Sequence, residues 1–116
     1  HADRAFRLVN EVPESEKKQY GILAHNLPVL VRVSGLVGAL GFVATRDRDA
    51  NNRFLKHLEH HLRETGLLTG KQELRPRVRE APLADYMRLT REVLDVLLWH
   101  KRFAVSVLKV EQGEES

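Results

Sequence analysis

Cysteine is absent from this 116-residue chain. That excludes disulfide frameworks, thiolate nucleophiles and cysteine zinc sites. It also fits a reducing compartment. Aromatic side chains are few: one tryptophan, two tyrosines and four phenylalanines. Recognition by stacking of exposed bases therefore has little to work with. The longest strongly apolar run, Val33 to Ala44, is interrupted by glycine and serine. It falls short of the roughly 20 residues that cross a bilayer. The opening HADRAFRLVN has no charged-then-apolar secretory pattern. A cytoplasmic location with no membrane partner is the expectation.

The motifs of common enzymes are missing too. No serine sits in G-x-S-x-G, and no glycines form G-x-G-x-x-G or a Walker A loop. The acids are scattered beside basic residues, so no carboxylate pair is set up for acid–base work. The expectation is a protein without catalytic activity or cofactor.

What remains is helical patterning. No hairpin dipeptide joins alternating apolar runs, which argues against a sheet. The periodicity predicts a single all-α domain over 1–116, a compact bundle of five or six helices with a long C-terminal helix. A first helix is expected from Ala2 to Val12, with Ala5, Phe6 and Val9 on its inner face and Pro13 at its end. A second is expected from Glu14 to Ala24. Asn26 reads as a cap and Pro28 as the first turn of a third helix running to Thr45. That third helix is apolar nearly all round, as a buried central helix is. Within it, Ser34, Gly38 and Gly41, with Gly35 and Ala39, suggest a strip of small residues open to a closely packed neighbour.

A fourth helix is expected from Ala50 to Thr65, capped by Asp47 or Asp49 and ended by Gly66. Pro76 and Pro82 mark the following dozen residues as a loop with at most one helical turn. The last helix is expected from Pro82 to Val110. At 1.5 Å per residue it would reach about 42 Å, long enough to project from so small a body or to pack on another molecule.

Two sets of side chains invite chemistry. His57, His60 and His61 lie in HLEHHLRE, with His57 and His61 at i, i+4. The order is not H-E-x-x-H and no third ligand is evident, so solvated helix-face histidines are expected and a metal site is not. The basic residues are the stronger lead. The formal charge is +3, and the tail EQGEES holds Glu111, Glu114 and Glu115. Without those three, 19 basic residues face 13 acidic ones. A basic body suits a polyanionic partner, although it also serves solubility. Candidate phosphate contacts are Arg46, Arg48 and Arg53; Arg75, Arg77 and Arg79 along the loop; Arg88 and Arg91; and Lys101 and Arg102 beside Trp99 and Phe103. Arginine holds phosphate oxygens with two donors at once, without reading sequence. For Trp99 and Phe103 themselves, core packing is expected.

Two segments also resemble a known family. LAHNLPVLVRVSGLVGALGFV carries Leu27-Pro28, Leu30-Val31, Gly35-Leu36, Ala39-Leu40 and Phe42 in the order of that family's central helix, with Tyr20-Gly21 ahead of it. YMRLTREVLDVLLWHKRFAVSVLK carries Trp99, Lys101, Arg102, Phe103 and Ala104 like its closing helix. The chain resembles the small subunit of the Cmr complex, the type III-B CRISPR RNA-guided effector. The resemblance implies a non-catalytic helical domain that stacks with further copies of itself as a minor filament. Its partners would be other Cmr subunits, CRISPR RNA and target single-stranded RNA. It assigns no RNA-contacting positions, so the arginines and lysine above rest on charge clustering alone. The alternative is a helical protein–protein interaction module without nucleic acid.

Overall fold

The computed structural model describes residues 1–114; Glu115 of the acidic tail and Ser116 lie outside the described residues. The described residues form five helices and one short turn: α1 Ala2–Asn10, a 3-10 turn Glu14–Glu16, α2 Lys17–Thr45, α3 Asp49–Glu64, α4 Leu74–Glu80 and α5 Leu83–Ser106. No strand occurs among the described residues. The fold is all-α, as expected. Helix α2 is central and packs on α3, α4 and α5, while α1 lies mainly on α5. Tyr20, Leu27, Leu36 and Leu40 of α2 meet Phe54, Leu58 and Leu62 of α3 and Leu89 and Leu97 of α5 in one buried core.

The break in α2 is not where proline suggested. The helix runs through Pro28 and leaves helical geometry at Gly35, with φ 77° and ψ 165°. An interior proline costs about 3 kcal/mol through its missing N–H and its clash with the preceding turn. Buried Leu23, Ala24, Leu27 and Val31 surround it, and their apolar burial offsets that cost. At Gly35 the positive φ is open to glycine and strained for other residues. A new helical arm starts immediately after it. The N–H groups of Leu36 and Val37 donate to the Tyr86 hydroxyl at 2.9 and 3.3 Å. A tyrosine from α5 thus satisfies donors that an N-cap side chain would otherwise take.

The small-residue strip also corrects the expectation. Ser34 and Gly38 are exposed. A Cβ at Gly38 would meet only Ser34 of the same helix, at 3.2 Å. The close approach falls instead at Gly21, where a Cβ would stand 2.5 Å from the Cβ of Val110.

From Glu14 to Thr45 the helical stretch is long and apolar enough to cross a bilayer by length and composition. In this fold it is the core helix. It is broken at Gly35, carries exposed Arg32, and buries His25, whose Nε2–H donates to the Val110 carbonyl at 2.7 Å.

At the ends of the other helices, several expectations shift by a face or a turn. The buried stripe of α1 is Ala5, Leu8 and Val9; Phe6 is half exposed, its ring edge on Phe103. Arg48, not Asp47 or Asp49, is the N-cap residue of α3, and no side chain caps that end. Gly66 does close α3, its N–H donating to the Arg63 carbonyl at 3.1 Å. Pro76 sits in the first turn of α4, where a missing N–H leaves no bond unmade. Helix α5 ends at Ser106. Its 24 residues span about 36 Å, which matches the 38 Å long axis of the molecule, so it does not project. Beyond it Lys109, with φ 61°, turns the chain so that Val110 seats on Gly21.

Candidate nucleic-acid interface

The three alternating arginines separate once α4 is a helix rather than a loop. Arg75 and Arg79 are i, i+4 and share a face. Both line a groove of about 420 Å³ between α3 and α4. Asn52, Leu55, Lys56 and Glu59 of α3 form its other wall, and Glu73 its rim. The Glu59 carboxylate accepts the Leu74 N–H at 2.8 Å and ties the start of α4 to α3. Arg77 points elsewhere and pairs with Asp85 at 3.5 Å. Arg75, Arg79 and Lys56 form no ion pair among the described residues. Sequence clustering missed Lys56. Its neighbours in the groove lie some twenty residues away in the chain, and no local pattern joins them.

The other candidates divide in the same way. Arg53 is half-buried and engaged, its Nε–H donating to Glu16 at 2.7 Å. That hydrogen bond holds its guanidinium pKa above the ordinary value. Arg46 and Arg48 are exposed, and Arg46 lies over the Phe42 ring at 5.1 Å. Arg88 and Arg91 are exposed on α5. Arg102 is exposed over the Trp99 ring at 4.9 Å, while Lys101 is half-buried. Trp99 and Phe103 are stacked and only half-buried, so core packing describes Phe103 better than Trp99. The structure brings Arg75 and Arg79 together with Lys56. It does not bring Arg77 or Arg53 into that groove.

The histidines overturn their expected place. Only His60 is exposed; His57 and His61 are buried, and so is His100 of α5. The Tyr20 hydroxyl lies 2.6 Å from His57 Nδ1 and 2.9 Å from His100 Nδ1. His100 Nε2 and His61 Nε2 are 2.9 Å apart. Burial pushes His57 down to about 4, and His61 and His100 to about 3. Nearby positive charge acts in the same direction: Arg53 on His57, Arg4 on His61. Burial raises the Tyr20 phenol. No group of three or more side chains is arranged to hold a metal among the described residues.

Helices with this order and these packed faces occur in known proteins. The family described as CRISPR-associated protein (Cas_Cmr5) matches residues 1–107. A curated relative, the CRISPR system Cmr subunit Cmr5 of Thermus thermophilus, is 39% identical over 109 residues, 93% of this chain and 92% of its own. A crystal structure of a CRISPR-associated Cmr5 family protein, also from Thermus thermophilus, matches with TM-score 0.78 at 38% identity, covering 95% of this chain and 94% of that one. The chain belongs to the Cmr5 family of CRISPR-associated proteins.

Proposed function

We propose that this chain is the small, non-catalytic subunit of a type III-B Cmr ribonucleoprotein effector in the cytoplasm. It assembles with the other Cmr subunits, stacks with further copies of itself, and touches the backbone of guide and target RNA. The observation that carries RNA contact is the α3–α4 groove, where Lys56, Arg75 and Arg79 stand together outside any ion pair among the described residues. Their spacing on two helices gives phosphate oxygens three cationic donors. Arg46, Arg48, Arg88, Arg91 and Arg102 extend the basic surface. Arg53 and Arg77 contribute less, because each already holds a carboxylate. Support for stacking comes from exposed apolar side chains: Val33 is 79% and Leu83 75% exposed.

The test uses the assembled complex and mixed-sequence single-stranded RNA. Three contacts to a single strand contribute about 2 to the slope of log affinity against log salt. Replacing Lys56, Arg75 and Arg79 with alanine should lower the slope by about that amount, with Arg77→Ala changing it little. An unchanged slope would remove the groove from the interface. The second reading, a helical interaction module without RNA, rests on the same exposed apolar side chains. Purification with protein partners but no RNA would favour it.

A further inference from the structure

A straight helix would set Gln19 and Arg46 about 40 Å apart. They line one cleft instead, of about 360 Å³. The break at Gly35 makes this possible, because it turns the second arm of α2 back beside the first.

The chemistry of this cleft differs from that of the α3–α4 groove. Its floor is apolar, built around buried Leu27. One rim carries two carboxamides, half-buried Gln19 and exposed Asn26. They stand two turns apart on one face of the first arm, so both reach the same opening. The other rim carries Phe42, 43% exposed, with the Arg46 guanidinium over its ring at 5.1 Å. Glu114 lies at the tail side, its carboxylate accepting the Glu111 N–H at 2.6 Å.

Each of these parts has a counterpart in an unstacked nucleobase. RNA bases splayed from a strand stack on aromatic rings and on guanidinium planes. A base edge carries donors and acceptors, and a carboxamide offers both. The attached phosphate is attracted by Arg46 and repelled by Glu114. An apolar side chain from a protein would fill the floor but leave the covered carboxamides and guanidinium without partners, which is costly.

We propose that the cleft between the two arms of α2 takes one unstacked base of a bound RNA single strand. The base lies on the Arg46–Phe42 stack, its edge meets Gln19 and Asn26, and its phosphate leaves on the Arg46 side. A carboxamide turned over exchanges its donor and acceptor, so the contact tolerates different bases. The proposal rests on the RNA contact inferred above, and it adds a base-dependent contact to the phosphate contacts of the α3–α4 groove.

The experiment titrates full-length ¹⁵N-labelled protein at low salt with a short single-stranded RNA of mixed sequence and with an abasic strand of the same length. Fluorescence anisotropy of the strand reads affinity. The side-chain amide resonances of Gln19 and Asn26 read contact. The RNA should shift both amides. The abasic strand should shift neither and should bind about tenfold more weakly, the effect of one stacked base. Phe42→Ala, at an exposed position, should abolish that difference and leave affinity for the abasic strand unchanged. Equal affinity for both strands, with the amides unmoved, would overturn the cleft and leave the phosphate contacts of the groove standing. A loss in Phe42→Ala that is equal for both strands would also overturn it, since the ring would then act on structure and not on a base. Binding of neither strand would remove the RNA reading itself, and this proposal with it.

Discussion

Helix α3 presents two polar faces that differ in almost every physical respect. Asn52, Lys56 and Glu59 look into the open groove shared with α4. His57 and His61, a turn or less away, look inward and stay neutral. The difference teaches that burial, more than residue type, decides what a polar group can do here. An interior polar group survives by finding a neutral partner for each donor and acceptor. A surface one keeps its charge and remains available to a ligand.

Carrying a charge from one face to the other breaks the comparison most severely. His61→Lys would place an ammonium where the neighbours are His100, His1 and nearby Arg4. A loss of about 3–5 kcal/mol is expected, the cost of an uncompensated buried charge. Urea unfolding at pH 7.5 measures it, and a loss below about 1 kcal/mol would mean that water reaches the interior face.

Acid tests the same face without mutation. His57, His61 and His100 titrate near 4, 3 and 3 when folded and near 6.5 when unfolded. Between those values the unfolded chain binds more protons than the folded one. Stability is therefore complete above about pH 6.5 and falls as pH drops toward 4 and below. Each histidine contributes about 1.4 kcal/mol per pH unit in that window. Urea midpoints at pH 7, 6 and 5 should decline with increasing steepness; a flat series would show that these rings already charge in the fold.

Gly35→Ala probes a site between the two extremes, neither charged nor deep. The positive φ and the Tyr86 hydroxyl 3.1 Å from the new Cβ should cost about 1–2 kcal/mol in thermal or urea unfolding. No loss would mean that the break in α2 relaxes into a continuous helix. The smallest effect is expected on the solvated face. Removing Arg75 and Arg79 together should change stability by no more than about 0.5 kcal/mol, while RNA retention falls. A large loss of stability there would make the groove a structural feature first.

These contrasts also explain what could be read from the sequence. The all-α fold and the end of α3 at Gly66 follow from periodicity and local chemistry. The family resemblance rested on Leu27-Pro28, Gly35-Leu36 and the Trp99 to Ala104 segment, and the comparisons bear it out. Local rules failed where a distant residue decides. Pro28 reads as a helix start until its burial is known, and Gly35 reads as a packing residue until Tyr86 is seen beneath the break. His57 and His61 read as solvated because Tyr20 and His100 lie far off in sequence. Arg75, Arg77 and Arg79 read as one cluster until a helical turn sends the middle one to Asp85.

The seat of Val110 on Gly21, with its carbonyl accepting the His25 proton, has a consequence in time. Synthesis proceeds from the N-terminus, so α1 and α2 emerge long before α5 and the turn that follows it. Until then α1 lacks its main support and α2 lacks one of its walls. The fold closes by contacts between its two ends, of the kind that form late and slow folding. Completion of this domain therefore waits until Val110 has left the ribosome.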